Sequence, residues 1–145
     1  MNNLSFHITD ITANSIRANA SEIGLSVEEQ DTRIVIRITD NGLGMDAETA
    51  RRVTNPFYTT RKVGLGLPFL IQNAEQTGGS VTLTSEPGKG TKVRAVFHSD
   101  HIDCPPWGDL PGTVALLITG NPEINVCFEY RSGETGYSIS TNEIK

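Results

Sequence analysis

Asp40-Asn-Gly-Leu-Gly-Met-Asp46 combines a carboxylate with two glycines and directly follows a strand pattern. Residues 33–39 alternate polar and apolar side chains, the period-two pattern of a half-buried strand. An Asp at the end of such a strand, followed by two glycines, is an acceptor beside backbone that a ligand can approach closely. A surface hairpin turn is the competing interpretation, since Asp-Asn-Gly is a common turn tripeptide. The neighbouring motifs favour the ligand site.

Composition restricts the classes of protein to which the chain can belong. With 145 residues it is long enough for one domain with a proper core. A net charge of -5 argues against a broad nucleic-acid footprint. Cys104 and Cys127 have neither metal-ligand spacing nor disulfide density, so free thiols are expected. Since no apolar run approaches membrane-spanning length and the first three residues lack signal-peptide character, we predict a cytoplasmic protein without membrane or nucleic-acid partners.

The first half of the chain predicts two helices and a strand. Residues 7–23 carry isoleucines with mostly helical spacing and predict an amphipathic helix, whereas 22–31 is polar and predicts a connection. The strand at 33–39 follows. After the glycine turn, Asp46 can cap a short helix through Val53, and residues 54–62 predict a loop.

The next segment predicts a helix and a hairpin. Pro68 suits the first turn of a helix that begins near Leu67, and Gly78-Gly79 ends it. Strands at 80–85 and 92–97 then form a hairpin. The resulting order is typical of an α+β fold, a two-layer sandwich of helices on one mostly antiparallel sheet.

Beyond His98 the regular pattern of elements gives way to an irregular stretch at 104–108. We therefore divide the chain into a core at 1–97 and a C-terminal β-containing extension at 98–145. Residues 113–119 form an apolar run that fits helix or strand, and we favour helix. Two strands at 124–130 and 136–141 form one more hairpin. Because a lone hairpin is marginal in water, packing on the core is favoured over a partner-facing tail. Partner binding, homodimer formation and mere extension of the sheet remain open roles.

Asp10, Asn14 and Arg17 lie on one face of the first predicted helix. A carboxamide oxygen can bind a hard cation such as magnesium, and a guanidinium can bind phosphate oxygens. The carboxylate can hold or deprotonate an attacking water. The competing interpretation is a solvated polar face, the fate of most such stripes.

Gly64-Leu65-Gly66-Leu67 opens the second helix, where free backbone N–H groups and the helix dipole favour anions. Hydroxyls and cations precede it: Thr59, Thr60, Arg61 and Lys62. A glycine pair at a helix start can equally serve close packing alone. Gly90-Thr91, at the start of the last core strand, is an ordinary turn when it is considered alone.

Together these motifs resemble the GHKL ATPase superfamily, which includes gyrase B, MutL, histidine-kinase catalytic domains and anti-sigma-factor serine kinases. The resemblance covers residues 5 to 97 in the family's order. Five motifs carry it: Asp10-Ile-Thr-Ala-Asn14 (N box), Asp40-Asn-Gly-Leu-Gly44 (first glycine box), Asn55-Pro-Phe57-Tyr-Thr-Thr60 (phenylalanine box), Gly64-Leu-Gly-Leu67 (second glycine box) and Gly88-Lys-Gly-Thr91 (closing element). Five motifs in order are far more specific than any one of them.

The resemblance implies the Bergerat ATP-binding fold, with ATP and Mg²⁺ as ligands. It implies that Asp40 accepts a hydrogen bond from the adenine amino group and that Asn14 ligates magnesium. Asp10 stands where gyrase-like members keep a glutamate general base. The remaining implied ATP-binding residues surround the phosphates, the lid or the pocket floor: Arg17, Gly42, Gly44, Thr59, Thr60, Arg61, Lys62, Gly64, Leu65, Gly66, Leu67 and Thr91.

Three departures shape the functional hypothesis. Asp10 is one methylene shorter than glutamate, and the lid between Asp46 and Gly64 is short. The expected phosphoacceptor helix pair of a histidine kinase has no counterpart before the first helix. The leading hypothesis is therefore a stand-alone ATP-binding protein that acts as a kinase or slow ATPase on a separate partner. A non-catalytic ATP-sensing module and the catalytic half of a split sensor kinase are the alternatives.

Overall fold

The computed structural model describes residues 3–44, 66–101, 104, 106–133 and 135–140. Within these ranges the chain forms three helices and six strands. In chain order they are α1 (Leu4–Arg17), β1 (Glu22–Gln30), β2 (Arg33–Asp40), α2 (Gly66–Gln76), β3 (Ser80–Glu86), β4 (Gly90–His98), α3 (Leu110–Gly120), β5 (Asn125–Ser132) and β6 (Thr135–Ser140). None of the helices in the described ranges is long and apolar enough to cross a membrane.

The strands form one sheet in the order β3-β4-β2-β1-β5-β6. Strand β1 pairs in parallel with β5, and the other four described pairs are antiparallel. The predicted mostly antiparallel sheet is therefore confirmed.

The hydrophobic core lies between the helices and one face of this sheet. Alternate residues of the strands point to that face, because side chains of a strand alternate between the two sides. The strand side chains that belong to this core are Ile23, Leu25, Val27, Ile34, Ile36, Ile38, Val93, Ala95, Phe97, Val126 and Phe128, and they share one cluster with Leu4, Ile8, Ile11, Leu70, Ala74, Leu110, Val114, Leu117 and Ile118 of the helices. The three described helices thus cover one face, and the predicted α+β layer architecture is confirmed.

The first helix is shorter than the sequence predicts, and a strand was missed after it. Helix α1 ends at Arg17, and Asn19 adopts a left-handed conformation with φ of 61°, which no helix can continue through. The predicted polar connection at 22–31 is wrong, because residues 22–30 form β1. Ile23, counted as part of the helical pattern, begins the buried side of that strand instead.

The predicted elements that follow are confirmed with small shifts of their ends. Strand β2 extends the predicted 33–39 by one residue, and α2 ends before Gly78, which has a φ of 83°. The hairpin of β3 and β4 is antiparallel as predicted. The predicted helix from Asp46 to Val53 and the loop at 54–62 lie outside the described residues.

Residues beyond 98 join the same sheet and the same core. The apolar run at 113–119 is helical, as favoured, and α3 begins after Asp109, whose carboxylate accepts a hydrogen bond from Gly112 N at 3.0 Å. Strand β5 lies beside β1, with Val126 opposite Ile23 and Phe128 opposite Leu25. Both β5 side chains are buried. The central strand β1 therefore has one neighbour from each end of the chain.

The segment before α3 also holds the start of α1. The amides of Leu4 and Ser5 donate to the carbonyls of Pro106 and Trp107 at 2.8 and 3.0 Å. The amide of Phe6 donates to Asn3 Oδ1 at 2.6 Å. Since the first amides of a helix have no partner within it, these contacts satisfy groups that would otherwise need water. The start of α1 thus depends on residues about a hundred positions later in the chain.

A carboxylate ties the same segment to the far end of β1. Glu29 accepts one hydrogen bond from the indole N–H of Trp107 and a second, at 3.0 Å, from the hydroxyl of Tyr130. Each of its two oxygens thus has a donor, and each donor comes from the region beyond residue 98. A cavity of about 370 Å³ lies beside this contact, with Arg33 and Cys104 in its lining. It is at the opposite end of β2 from Asp40.

A buried histidine lies between α1 and α2. His7 is 1% exposed, and its Nε2 lies 2.8 Å from Nδ2 of Asn73. An amide nitrogen can only donate, so Nε2 accepts and the ring is neutral. Burial lowers the pKa of His7 from 6.5 to about 4, since the charged ring would lose its hydration.

The lowered pKa predicts an acid-dependent loss of stability. Above the unfolded pKa of 6.5, neither state binds the proton. As pH falls from 6.5 towards 4, the unfolded chain binds a proton that the folded chain excludes, so the free energy of unfolding decreases. The full effect, reached below pH 4, is on the order of 3 kcal/mol. His7→Gln removes this contribution, so its unfolding free energy, measured in urea at pH 7.5 and pH 5, should fall less than that of the wild type.

The exposed His101, changed to Gln in the same way, is the control for this experiment. An equal decrease in wild type and His7→Gln would contradict the burial of a neutral imidazole.

Candidate functional site

Helix α1 carries the predicted stripe of polar side chains along one face. Asp10 and Asn14 are half-buried and Arg17 is exposed. The guanidinium of Arg17 donates a short hydrogen bond to Asn14 Oδ1. Burial raises the pKa of the Asp10 carboxyl, and the positive charge of Arg17 partly opposes that rise. Asp10 therefore holds a proton more readily than an exposed aspartate does.

Asp40 ends β2 with both carboxylate oxygens already engaged. Its Oδ1 accepts from the amide of Gly42 at 2.8 Å, and its Oδ2 accepts from the hydroxyl of Ser15 at 2.6 Å. In the sheet register it lies between Ile23 of β1 and Thr91 of β4. A carboxylate has about four acceptor positions, so capacity for a further donor remains. The two donors come from different parts of the fold, so they fix the orientation of the carboxylate and of its unused acceptor positions.

Ser15 was not among the residues predicted from the sequence. It is 3% exposed and joins α1 to the end of β2. The sequence does contain a signal: Ser15 follows Ile8 and Ile11 at helical spacing, so it is a polar residue on the apolar face of α1. A buried hydroxyl needs a partner, and this spacing therefore calls for one on the facing element.

The glycines of the first glycine box allow close backbone contacts. A Cβ at Gly42 would lie 2.8 Å from the carbonyl oxygen of Ala18. Gly44 has a φ of 73°, and a Cβ there would lie 2.0 Å from the carbonyl oxygen of Glu86. Between them, Leu43 donates to Ala18 O at 2.9 Å and accepts from Gly88 N at 2.7 Å. The loop is thus held between the end of α1 and the β3–β4 turn, which larger residues would push apart.

Asn41 fixes the turn that leads from α1 into β1. Its Oδ1 accepts from the amides of Ser21 and Glu22, both at 2.9 Å, and its Nδ2 donates to Ser21 Oγ at 2.8 Å. These three contacts position the end of α1 relative to the glycine loop. Asn41 was seen in the sequence only as a turn residue.

The remaining predicted residues divide into those the structure places and those it does not describe. Thr91 lies opposite Asp40, and its hydroxyl is 2.8 Å from that of Ser85. Gly66 and Leu67 begin α2. The other predicted residues lie outside the described ranges: Thr59, Thr60, Arg61, Lys62, Gly64 and Leu65. Three of the five sequence motifs, the N box, the first glycine box and the closing element, therefore meet at one end of the sheet.

The donor set suits a cation that takes few protein ligands. Among the described residues, no group of three or more His, Cys, Asp and Glu could hold a metal. Magnesium usually keeps several waters and binds substrate phosphates, so one amide oxygen and a nearby carboxylate fit it. In this structure Asn14 Oδ1 accepts a hydrogen bond from Arg17. The exposed Arg17 side chain would therefore have to turn away before this oxygen could bind a cation.

A comparison with protein families identifies the family of the chain. The sequence model of the histidine kinase-, DNA gyrase B- and HSP90-like ATPases matches residues 3–101. The chain belongs to this ATPase family. The matched residues include α1, the glycine loop and the hairpin of β3 and β4, and so all three motifs that meet at the site.

Relatives within the ATPase family include much longer proteins. The sensor histidine kinase YxdK of Bacillus subtilis (strain 168) is 28% identical over 104 residues, which cover 65% of this chain and 32% of that protein. The sensor kinase CckA of Brucella abortus (strain 2308) is 34% identical over 91 residues, which cover 60% of this chain and 10% of that protein. The chain thus spans a third or less of these relatives.

Solved structures extend the likeness of fold over most of the chain. The Aquifex aeolicus MutL ATPase domain, complexed with ADP, is 17% identical with a TM-score of 0.55, and the match covers 97% of this chain and 63% of that one. The N-terminal domain of a DNA repair protein gives a TM-score of 0.60 at 17% identity and covers 97% of this chain and 52% of that one. The likeness of fold to these two structures therefore includes the region beyond residue 98.

The contact between Ser15 and Asp40 predicts that the two side chains stabilise the fold jointly. In a double-mutant cycle of Ser15→Ala and Asp40→Asn, the effects on unfolding free energy should be non-additive by about 1–3 kcal/mol, the range of a hydrogen bond to a charged group. Chemical denaturation of the four proteins measures this. A second cycle combines Asp40→Asn with Ser26→Ala, a residue on the other side of the sheet, and its two effects should be additive. Additivity in both cycles would contradict the contact.

Proposed function

We propose that the chain binds Mg–ATP at the site around Asp40 and acts as a regulatory protein kinase or slow ATPase on a separate partner. The observation that carries this proposal is the Asp40 carboxylate, which Ser15 and Gly42 hold in a fixed direction beside a glycine loop. Membership of the ATPase family supports ATP as the ligand.

Asp40 is proposed to select adenine through its remaining acceptor capacity. The exocyclic amino group of adenine is a donor, whereas guanine has a carbonyl at the equivalent position. A carboxylate facing that carbonyl would leave both acceptors unpaired. Such a loss costs about 1–3 kcal/mol, or more for a charged group, which is sufficient for base selectivity. Thr91, directly opposite in the sheet, is proposed to support the pocket floor.

The phosphates and magnesium are proposed to lie along α1. Asn14 would contribute one oxygen to magnesium after Arg17 turns from it towards a phosphate. The backbone at Gly66 and Leu67, in the first turn of α2, has the free N–H groups that favour anions. The proposed phosphate and lid contacts also include Gly42, Gly44, Thr59, Thr60, Arg61, Lys62, Gly64 and Leu65.

Asp10 is the proposed general base. Its raised pKa makes the carboxylate a better proton acceptor than an exposed aspartate, which favours deprotonation of a water or hydroxyl. Its side chain is shorter than the glutamate that gyrase-like members have at this position. This shorter reach favours slow turnover and also gives the competing proposal, a non-catalytic module that binds ATP and changes its affinity for a partner.

The relatives support phosphotransfer to a partner as the downstream reaction. Both sensor kinases described above are named as kinases, and their matches cover 65% and 60% of this chain. A partner carrying the phosphoacceptor, as in a split sensor kinase, is consistent with this. Serine and histidine are the two acceptor types proposed.

Asp40→Asn is expected to lower ATP affinity by at least about tenfold, since it replaces one acceptor oxygen by a donor and weakens base recognition. Calorimetric titration of ATP and GTP into both proteins measures the effect, and the far-ultraviolet spectrum checks the fold. Thr82→Ala, on the exposed side of β3, is the control. Unchanged ATP affinity in a folded Asp40→Asn protein would sink the assignment.

Labelled ATP, incubated with the wild type and native lysate, is expected to transfer label to one protein or to release labelled phosphate. Asp10→Asn should abolish both, because an amide cannot accept the proton. Acid-labile label would indicate phosphohistidine, and acid-stable label would indicate phosphoserine. If ATP binds but Asp10→Asn changes neither transfer nor release, the general-base proposal fails.

A further inference from the structure

The face of the sheet opposite the helices is cationic where β2 and β4 meet. Arg37 of β2 and Lys92 and Arg94 of β4 point to this face, because their neighbours in each strand point into the core. Arg37 and Lys92 are exposed, and Arg94 is half-buried. Val35 and Val96, on the same face, are only 3% and 6% exposed. The face therefore presents charge rather than apolar surface to solvent.

The sheet register places two of these cations directly opposite each other. Arg37 pairs with Arg94, and Lys92 is the next residue of β4 on the same face, opposite Thr39. Like charges directly opposite each other across a strand pair are destabilising. The arrangement thus works against the stability of the isolated chain.

The surrounding acids do not neutralise this group. Among the described residues, Lys89 pairs with Glu86 and Arg131 with Glu129, and no ion pair involves Arg37, Lys92 or Arg94. The acids on this face of the other strands are Glu22, Glu28, Glu86 and Glu129. Glu86 and Glu129 already lie 3.3 and 3.8 Å from Lys89 and Arg131.

We propose that this basic face, defined by Arg37, Lys92 and Arg94, docks an acidic segment of a partner protein. Carboxylates above the Arg37–Arg94 pair would neutralise the repulsion, and both guanidinium groups are on strands with fixed backbones. The chain as a whole has a net charge of -5, so its overall charge repels an acidic partner while this face attracts one. Such an asymmetry orients a partner as well as binding it. The proposal does not rest on the nucleotide site, which faces the helices.

Two other polyanions fit the face less well. Single-stranded nucleic acid is bound by aromatic platforms between cations, and the exposed face of β2 and β4 has no Trp, Tyr or Phe. A membrane surface is bound by cations together with inserted apolar side chains, and Val35 and Val96 are buried here.

The test uses a fluorescein-labelled polyglutamate peptide and the whole chain. Fluorescence anisotropy should detect binding that weakens with added salt, because exposed charges are screened. The double variant Arg37→Glu, Arg94→Glu should weaken binding by at least about tenfold. The matched control is Lys89→Glu, Arg131→Glu, which changes the net charge equally at two cations that are already paired. The control should retain most of the affinity.

A second measurement separates docking from bulk charge. Arg94→Thr keeps a residue with high strand propensity and removes the repulsion, so its melting temperature should exceed that of the wild type. Polyglutamate should raise the melting temperature of the wild type more than that of Arg94→Thr.

Four results would overturn the proposal. They are absence of polyglutamate binding by the wild type, equal losses in the two double variants, tighter binding of a single-stranded oligonucleotide than of polyglutamate, and self-association in sedimentation that Arg37→Glu, Arg94→Glu abolishes. The last would make a second copy of the chain the occupant of this face.

Discussion

The pairing of β1 on both of its edges is the constraint from which the rest of the structure follows. Its alternation sends Ile23, Leu25 and Val27 into the core, and a shift by one residue would expose all three. One edge holds β2 in antiparallel register and so sets Asp40 opposite Ile23. The other edge holds β5 in parallel, which brings the region beyond residue 98 into the same core. The position of the candidate site is therefore a property of the whole sheet and not of the glycine loop alone.

At the candidate site, the orientation of the Asp40 carboxylate depends on the packing of a helix. The carboxylate of Asp40 is oriented from one side by its own loop, through Gly42, and from the other by Ser15 of α1. Because Ser15 lies on the buried face of α1, its position is set by the same packing that buries Ile8 and Ile11. Asn14, one residue earlier, is carried by the same turn of helix. The proposed base-binding residue Asp40 and the proposed metal ligand Asn14 therefore both depend on the position of α1. A shift of α1 against the sheet would move Asn14 and change the orientation of Asp40.

Much of the fold could be predicted because its periodic patterns are strong and local. The alternation at 33–39 and the hairpin around Pro87-Gly88 depend only on neighbouring residues, and both are present. Strand β1 could not be recognised, because Ile23 continues the apolar spacing of α1, and Gly24, Glu28 and Glu29 suggest a loop. Its partners β2 and β5 stabilise it from distant parts of the chain, which local propensity does not record. Ser15 was missed for a related reason, since its role exists only through Asp40, twenty-five positions later. The five sequence motifs predicted the family, whereas this contact needed the structure.

The parallel pairing of β1 with β5 has a consequence for how the chain reaches its fold. The paired residues, such as Ile23 and Val126, are more than one hundred positions apart in the chain. Contacts of such high sequence separation form slowly. During synthesis, β1 and the first turn of α1 would emerge long before β5 and the carbonyls of Pro106 and Trp107. Until then β1 presents a bare strand edge beside an apolar face, the kind of intermediate that aggregates or recruits a chaperone. The final third of the chain therefore completes the sheet and covers the free edge of β1 only late in synthesis.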